Sequence, residues 1–375
     1  MSLGAVALAM VGVLVGVAIA VLGGWLHRPS WLRNRDILIL IALAVLVPLY
    51  AGITMLARTQ QQGQDGDGSS ADSSPTPPAP GGGIAAVAPE LLGERVLSSD
   101  DSSGTAVLFS SSIDGSNRQR LGEGFGRISM LPGGTETLAI AYDNGASGSK
   151  VVVRSLDGQV LRDLSHPPED YTDDSPTLAR KVGVVYFVRH KVEIIDSQNS
   201  TVSHGRLMRV PLDGSSAEAV VATSDMIDTV SVSDDGRVLA GACHVNDKAN
   251  VGQGCLVDVA TGRMQRIPGS EDSTVSDLAV SPEGRLVAYS SAHNNPYGSI
   301  QVFVYDIARA VTIDVSRQAG INDQPAWSAS ATKPCLLFRH DETENDPSIY
   351  LACLTPEPVV VPAIPVGSDP AWLGE

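Results

Sequence analysis

The apolar and polar positions of the chain fall into three regimes. Two long apolar runs come first, residues 3–26 and 37–57, each free of charged side chains. Each can cross a bilayer as a helix, since about 20 apolar residues span the hydrocarbon core. A strongly polar stretch follows at 59–83, TQQQGQDGDGSSADSSPTPPAPGGG. Beyond it the pattern changes to short β-branched runs broken by Gly, Pro, Asn and Asp, the mark of strands joined by turns. The clearest unit runs from Val275 to Ser316, where VSDLAVSPEG, RLVAYSSA, SIQVFVYDIA and RAVTIDVS read as four strands in a row.

Similar units recur on both sides at intervals of roughly 45–55 residues, the spacing expected of propeller blades. The first complete unit starts near Ile128. The second is irregular, with a long connection before RLMRVPLDG. The last strand, Asp369-Pro370-Ala371-Trp372, has no blade after it, whereas RVLSS, TAVLFSSSIDG and NRQRLGEG after the polar stretch lack an innermost strand. Joining the two ends closes a ring and leaves no open sheet edge. The expected fold is therefore an all-β, six-bladed β-propeller whose C-terminal strand closes the N-terminal blade, preceded by a transmembrane α-helical hairpin. The expected domains are the hairpin at 1–58, a disordered linker at 59–83 and the propeller at 84–375.

Charge sharpens this division. The whole chain carries −16, but residues 1–58 hold Arg28, Arg33, Arg35 and Arg58 against Asp36, a balance of +3, so the remainder carries −19. A domain that acidic is a poor partner for nucleic acid, because phosphates require a positive surface. Three arginines fall in the connection HRPSWLRNRD, which the positive-inside rule places in the cytoplasm. Both termini and the propeller then face outward from a bacterial inner membrane. Gly12, Gly16, Ala20 and Gly24 form a stripe of small residues on the first span, suited to close packing with another helix, either within the hairpin or on a partner membrane protein.

The four cysteines fall as two local pairs. Folding one hairpin about residue 249 sets Cys243 opposite Cys255, and folding the other about its DETENDP loop sets Cys335 opposite Cys353. Facing positions allow a cross-strand disulfide, and an oxidising compartment favours one; the alternative is four buried thiols.

The repeats Val280-Ser281-Pro282-Glu283-Gly284-Arg285 and Ser231-Val232-Ser233-Asp234-Asp235-Gly236-Arg237 resemble those of TolB-like and WD-type propellers. Pro325-Ala326-Trp327-Ser328 and Pro370-Ala371-Trp372 resemble the innermost strand of that family, and Ile113-Asp114-Gly115, Leu156-Asp157-Gly158 and Leu212-Asp213-Gly214 its outer turns. The resemblance covers residues 87–375 and implies the fold; propellers of this kind host binding, scaffolding and catalysis alike.

Candidate chemistry is sparse. Asp174, Asp228, Asp277, Asp323 and Asp369 recur just ahead of the innermost strands, where loops meet around the channel. They read as an acidic funnel for a basic segment or cation, or as turn chemistry in which each Asp bonds its own loop. The histidines are scattered without zinc-ligand spacing, and no nucleophile elbow, P-loop or dinucleotide fingerprint is present. The expectation is no catalytic residue, no metal and no cofactor. The function expected is that of a non-enzymatic protein-binding or scaffolding subunit of an envelope membrane complex. The alternatives are a small-molecule or glycan-binding module and, less favoured, an envelope hydrolase.

Overall fold

A computed structural model describes residues 82–373 apart from 101–105, 124–127, 143–147, 195–199, 204, 217, 222–226, 245–251, 271–273, 293–298, 329–332, 343–346 and 355–356. The hairpin expected at 1–58, with Gly12, Gly16, Ala20 and Gly24, and the linker up to residue 81 lie outside the described residues. Among the described residues no helix is long and apolar enough to cross a membrane.

The described strands form six antiparallel sheets, numbered here as blades 1 to 6 around the ring. Blade 1 comprises Ser129–Met130, Glu136–Tyr142, Ser149–Ser155 and Val160–Asp163. Blade 3 comprises Ile227–Val232, Leu239–Cys243, Gln253–Val257 and Met264–Arg266; blade 4 comprises Val275–Val280, Leu286–Ser291, Gln301–Asp306 and Val311–Asp314. Blade 5 comprises Ile321–Trp327, Cys335–Asp341, Ser348–Leu354 and Pro358–Ile364. Blade 2 departs from the repeat because its second strand, Val184–Ile194, continues past the blade and pairs back on Ser200–Val202 before the third strand begins at Arg206. That excursion is the long connection visible in the sequence.

Blade 6 is built from both ends of the chain. Ser368–Leu373 pairs antiparallel with Arg95–Asp100, which continues into Val107–Ser112 and Gln119–Glu123. The expected seam is therefore present, and it satisfies backbone groups that an open ring would expose.

Turns repeat one chemistry. The carboxylates of Asp114, Asp213 and Asp235 accept the backbone N–H two residues on, at 2.9, 2.9 and 3.0 Å. The glycine that follows each aspartate sits at positive φ, a region a side chain would strain. The core is distributed: a separate buried cluster fills each of the six blade-to-blade interfaces. Alternate residues of each strand supply these clusters, so sheet packs on sheet around the ring.

Two expectations are corrected here. The linker was expected to reach Gly83, but Gly82–Val87 forms a helix and Pro89–Leu91 a 3-10 turn. Ile84, Ala88 and Leu91, spaced for one helical face, are fully buried between blades 5 and 6, and Gly83 lies so close to Val361 that a Cβ would meet it at 3.0 Å. Residues 82–91 are thus a strap on the propeller. The second correction concerns Cys243. It faces Gln253, and Cys255 faces Gly241, so the cysteines are diagonal neighbours two residues out of the expected register. A two-residue slip leaves both side chains on the same face of the sheet, and the disulfide joins them all the same. Cys335 faces Cys353 directly, as expected, and is joined to it.

Candidate functional site: the channel mouth

Equivalent residues of the innermost strands meet around the ring. The Trp327 indole N–H donates to the Ala279 carbonyl at 2.9 Å, and the Trp372 indole repeats the contact one blade on, to Ala326 at 3.2 Å. The strands therefore run in one sense, and their first residues gather at one end of the channel. Each of the five aspartates lies inside the opening turn of its strand rather than ahead of it.

They do not form one ring. In blades 2, 5 and 6 a proline, Pro176, Pro325 or Pro370, marks the same position, and the residue before it is Ser175, Gln324 or Asp369, all in the left-handed region. A non-glycine residue held there before a proline stores about 1–3 kcal/mol of strain, which the surrounding ladder must offset. Ser175, Gln324 and Asp369 line a central cavity of about 220 Å³ together with Asp277, with the indoles of Trp327 and Trp372 in its wall. Asp174 and Asp323 come one residue earlier in the chain, and neither they nor Asp228 belong to that lining.

Each aspartate has a distinct setting. Asp174 is exposed and accepts the N–H of Ser175 at 2.5 Å, which is the turn chemistry expected as one alternative. Asp228 lies 2.5 Å from Nε2 of the buried His244. Asp323 lies 3.5 Å from Nε of Arg339. Asp277 is buried and accepts from the Ser290 hydroxyl at 3.3 Å. Asp369 accepts from the Ser99 hydroxyl at 2.7 Å, across the seam, while its N–H donates to the Gln324 amide oxygen at 2.7 Å. The mouth is thus prearranged by donors of the chain itself.

The sequence reading missed the most deeply buried acid. Asp173, beside Asp174, is fully buried and accepts two hydrogen bonds from Arg189 at 2.6 and 2.8 Å; Arg189 also pairs with Glu218 at 2.6 Å. Burial works against the Arg189 charge, but the two carboxylates outweigh it and hold its pKa above the ordinary value. At the matching place in blade 5, Asn322 Oδ1 and His340 Nδ1 lie 2.8 Å apart. The available signal was strand alternation, which turns Asp173 and Asp174 to opposite faces.

One ring nitrogen of each of three histidines on or just after second strands meets a structural acceptor: His190 the Ser203 carbonyl, His244 the Asp228 carboxylate and His340 the Asn322 amide oxygen. Among the described residues no group of three or more His, Cys, Asp or Glu side chains is placed to hold a metal.

Against this geometry the comparisons with known proteins are informative about shape. No protein family and no curated protein matches the sequence. Among solved structures, TolB from Acinetobacter baumannii superposes with a TM-score of 0.56 at 11% identity, over 76% of this chain and 67% of that one. The fold is a TolB-like six-bladed β-propeller. A putative TolB from Agrobacterium tumefaciens matches 74% of this chain and 90% of its own, at 12% identity and a TM-score of 0.47. An oligogalacturonate lyase in complex with manganese matches 69% and 71%, at 13% identity and a TM-score of 0.46. At such identities the likeness is one of fold alone.

Proposed function

We propose that this chain is a non-enzymatic, protein-binding or scaffolding subunit of a bacterial envelope membrane complex. In this reading the charge-free runs at 3–26 and 37–57 anchor it as a helical hairpin, and the propeller stands outside the cytoplasm on the polar linker. The two disulfides support that compartment, since cytosolic thiols are kept reduced.

The observation that carries the reading is the channel mouth. Its cavity of about 220 Å³ is smaller than the roughly 300–1,000 Å³ of sites that enclose a free small molecule. It suits one side chain of a partner protein, received among Asp277, Asp369, Gln324 and Ser175. Acceptors fixed in place by neighbouring hydroxyls and amides need little reordering on binding, which favours recognition.

The test is mild cross-linking of the full-length protein in native membranes, then purification and mass spectrometry. A stoichiometric membrane partner is expected. It should be lost when Gly12 and Gly16 are both replaced by leucine, and its propeller cross-links should be lost in the Asp277→Asn, Asp369→Asn double variant. Recovery of the protein alone from wild-type membranes would overturn the reading.

A further inference from the structure

The strap has a structural counterpart position elsewhere in the ring. Ser233 and Ser328 close equivalent turns by donating to the carbonyls of Val238 and Cys335, so Val238 of blade 3 stands where Cys335 stands in blade 5. Leu239 faces Val257 as Leu336 faces Ala352, which makes Leu256 the equivalent of Leu351. Those two face Gln265 and Val361. On the next blade in each case, Val287 lies between Val280 and Tyr305 as Val96 lies between Trp372 and Ser111, which makes Ile307 the equivalent of Ile113.

Cys335, Leu351, Val361 and Ile113 all belong to the cluster that buries Ile84, Ala88 and Leu91 of the strap. Their counterparts Val238, Leu256, Gln265 and Ile307 all line an open groove of about 940 Å³ along the outer strands of blade 3, bounded on one side by Ile307 of blade 4. Among the described residues, the same groove position is thus filled by the strap in one place and open in another.

We propose that the open groove docks a short helical segment of a partner protein built like the strap. Its apolar side chains would follow the spacing of Ile84, Ala88 and Leu91, with an acidic residue near the C-terminal end, as Glu90 is in the strap. Two observations bear on the occupant. The chain's own linker is no candidate, because Thr59–Gly81 contains no Ile, Leu, Val, Met or aromatic residue. The strap's last helical carbonyl, that of Val87, accepts from Lys333, two residues ahead of Cys335; the open groove has Gly236 at that place and carries a cation one residue later, at Arg237, which lines the groove with its side chain 86% exposed. Arg237 would cap the incoming helix as Lys333 caps the strap, where a cation is favoured by the helix dipole.

The probe is a fluorescent peptide of the strap sequence, GGIAAVAPELL, titrated onto the full-length protein in detergent. Saturable binding is expected below about 1 mM, the weak limit of specific association. Val238→Asp should weaken it at least tenfold, since it places a carboxylate against the peptide's apolar face. Arg237→Glu, at an exposed site where the guanidinium lies 3.6 Å from Asp235, should weaken it about 2- to 5-fold, with Arg237→Lys restoring it. Absence of binding at about 1 mM, or binding indifferent to both substitutions, would overturn the proposal. So would concentration-dependent dimerisation of the chain that Val238→Asp abolishes, because the occupant would then be a second copy.

Discussion

Blade 5 buries its outer strands beneath the strap, whereas blade 3 leaves the matching groove open, although both are four-stranded sheets joined between their second and third strands by a disulfide. The repeat therefore sets the sheet and the interface position, but not what covers it. Covering depends on whether the chain supplies an apolar segment nearby, and only the segment leading into Arg95 does so among the described residues. Ring geometry is shared; surface chemistry is particular to each blade.

The largest break in this comparison should come from a single charge. Ile84→Asp sets an unpaired carboxylate in a fully buried site and is expected to cost about 4 kcal/mol or more in chemical denaturation. Val238→Asp, in the half-buried wall of the open groove, should cost about 1–2 kcal/mol. Equal losses would mean that the strap contributes nothing particular to blade 5.

The disulfides allow a finer contrast. Their cysteines are 12 residues apart in blade 3 and 18 in blade 5, so chain entropy assigns each about 3 kcal/mol. Replacing each pair by serine should lower the melting temperature by similar amounts, despite the diagonal register of one and the facing register of the other. A markedly smaller loss in either blade would show that native-state strain offsets the entropic gain there.

The smallest effect concerns acid. In blade 3 the Arg237 N–H and the Ser233 hydroxyl stabilise the Asp235 carboxylate and hold its pKa below the ordinary value. Its contribution is full above the unfolded value near 3.8 and fades as pH falls through the lowered folded value. Protection of the Arg237 amide against hydrogen exchange should therefore drop below about pH 4. The corresponding turn of blade 5, SASATKP, has no carboxylate and should show no such step.

How far the sequence could be read follows from the same blades. Turn dipeptides and the unmatched strands at the two ends disclosed the ring, because Asp-Gly turns and seam closure are local and combinatorial facts. The register of blade 5 was readable because its pairing centres on a single polar loop. That of blade 3 was misread by two residues, since HVNDKANVG contains no tight-turn dipeptide to centre the hairpin, and alternation fixes a face but not a register. The strap went unrecognised because GGG reads as linker, although Ile84, Ala88 and Leu91 already carried helical spacing. At the mouth, the aspartates were visible but their division was not. It depends on distance from a proline, one residue for Asp369 and two for Asp174 and Asp323, and on Asp173, whose partner Arg189 lies on another strand.

The seam also has a bearing on biosynthesis. Ser99 and Ser368 bond across blade 6 while standing 269 positions apart. The ring therefore cannot shut until Ser368–Leu373 has left the ribosome and, if the chain is exported, the translocation channel. Five sheets can assemble as they emerge, but Arg95–Asp100 must wait with one bare edge throughout. A nascent propeller of this kind is most vulnerable just before its seam closes, and a stop codon ahead of Ser368 would leave it permanently in that state.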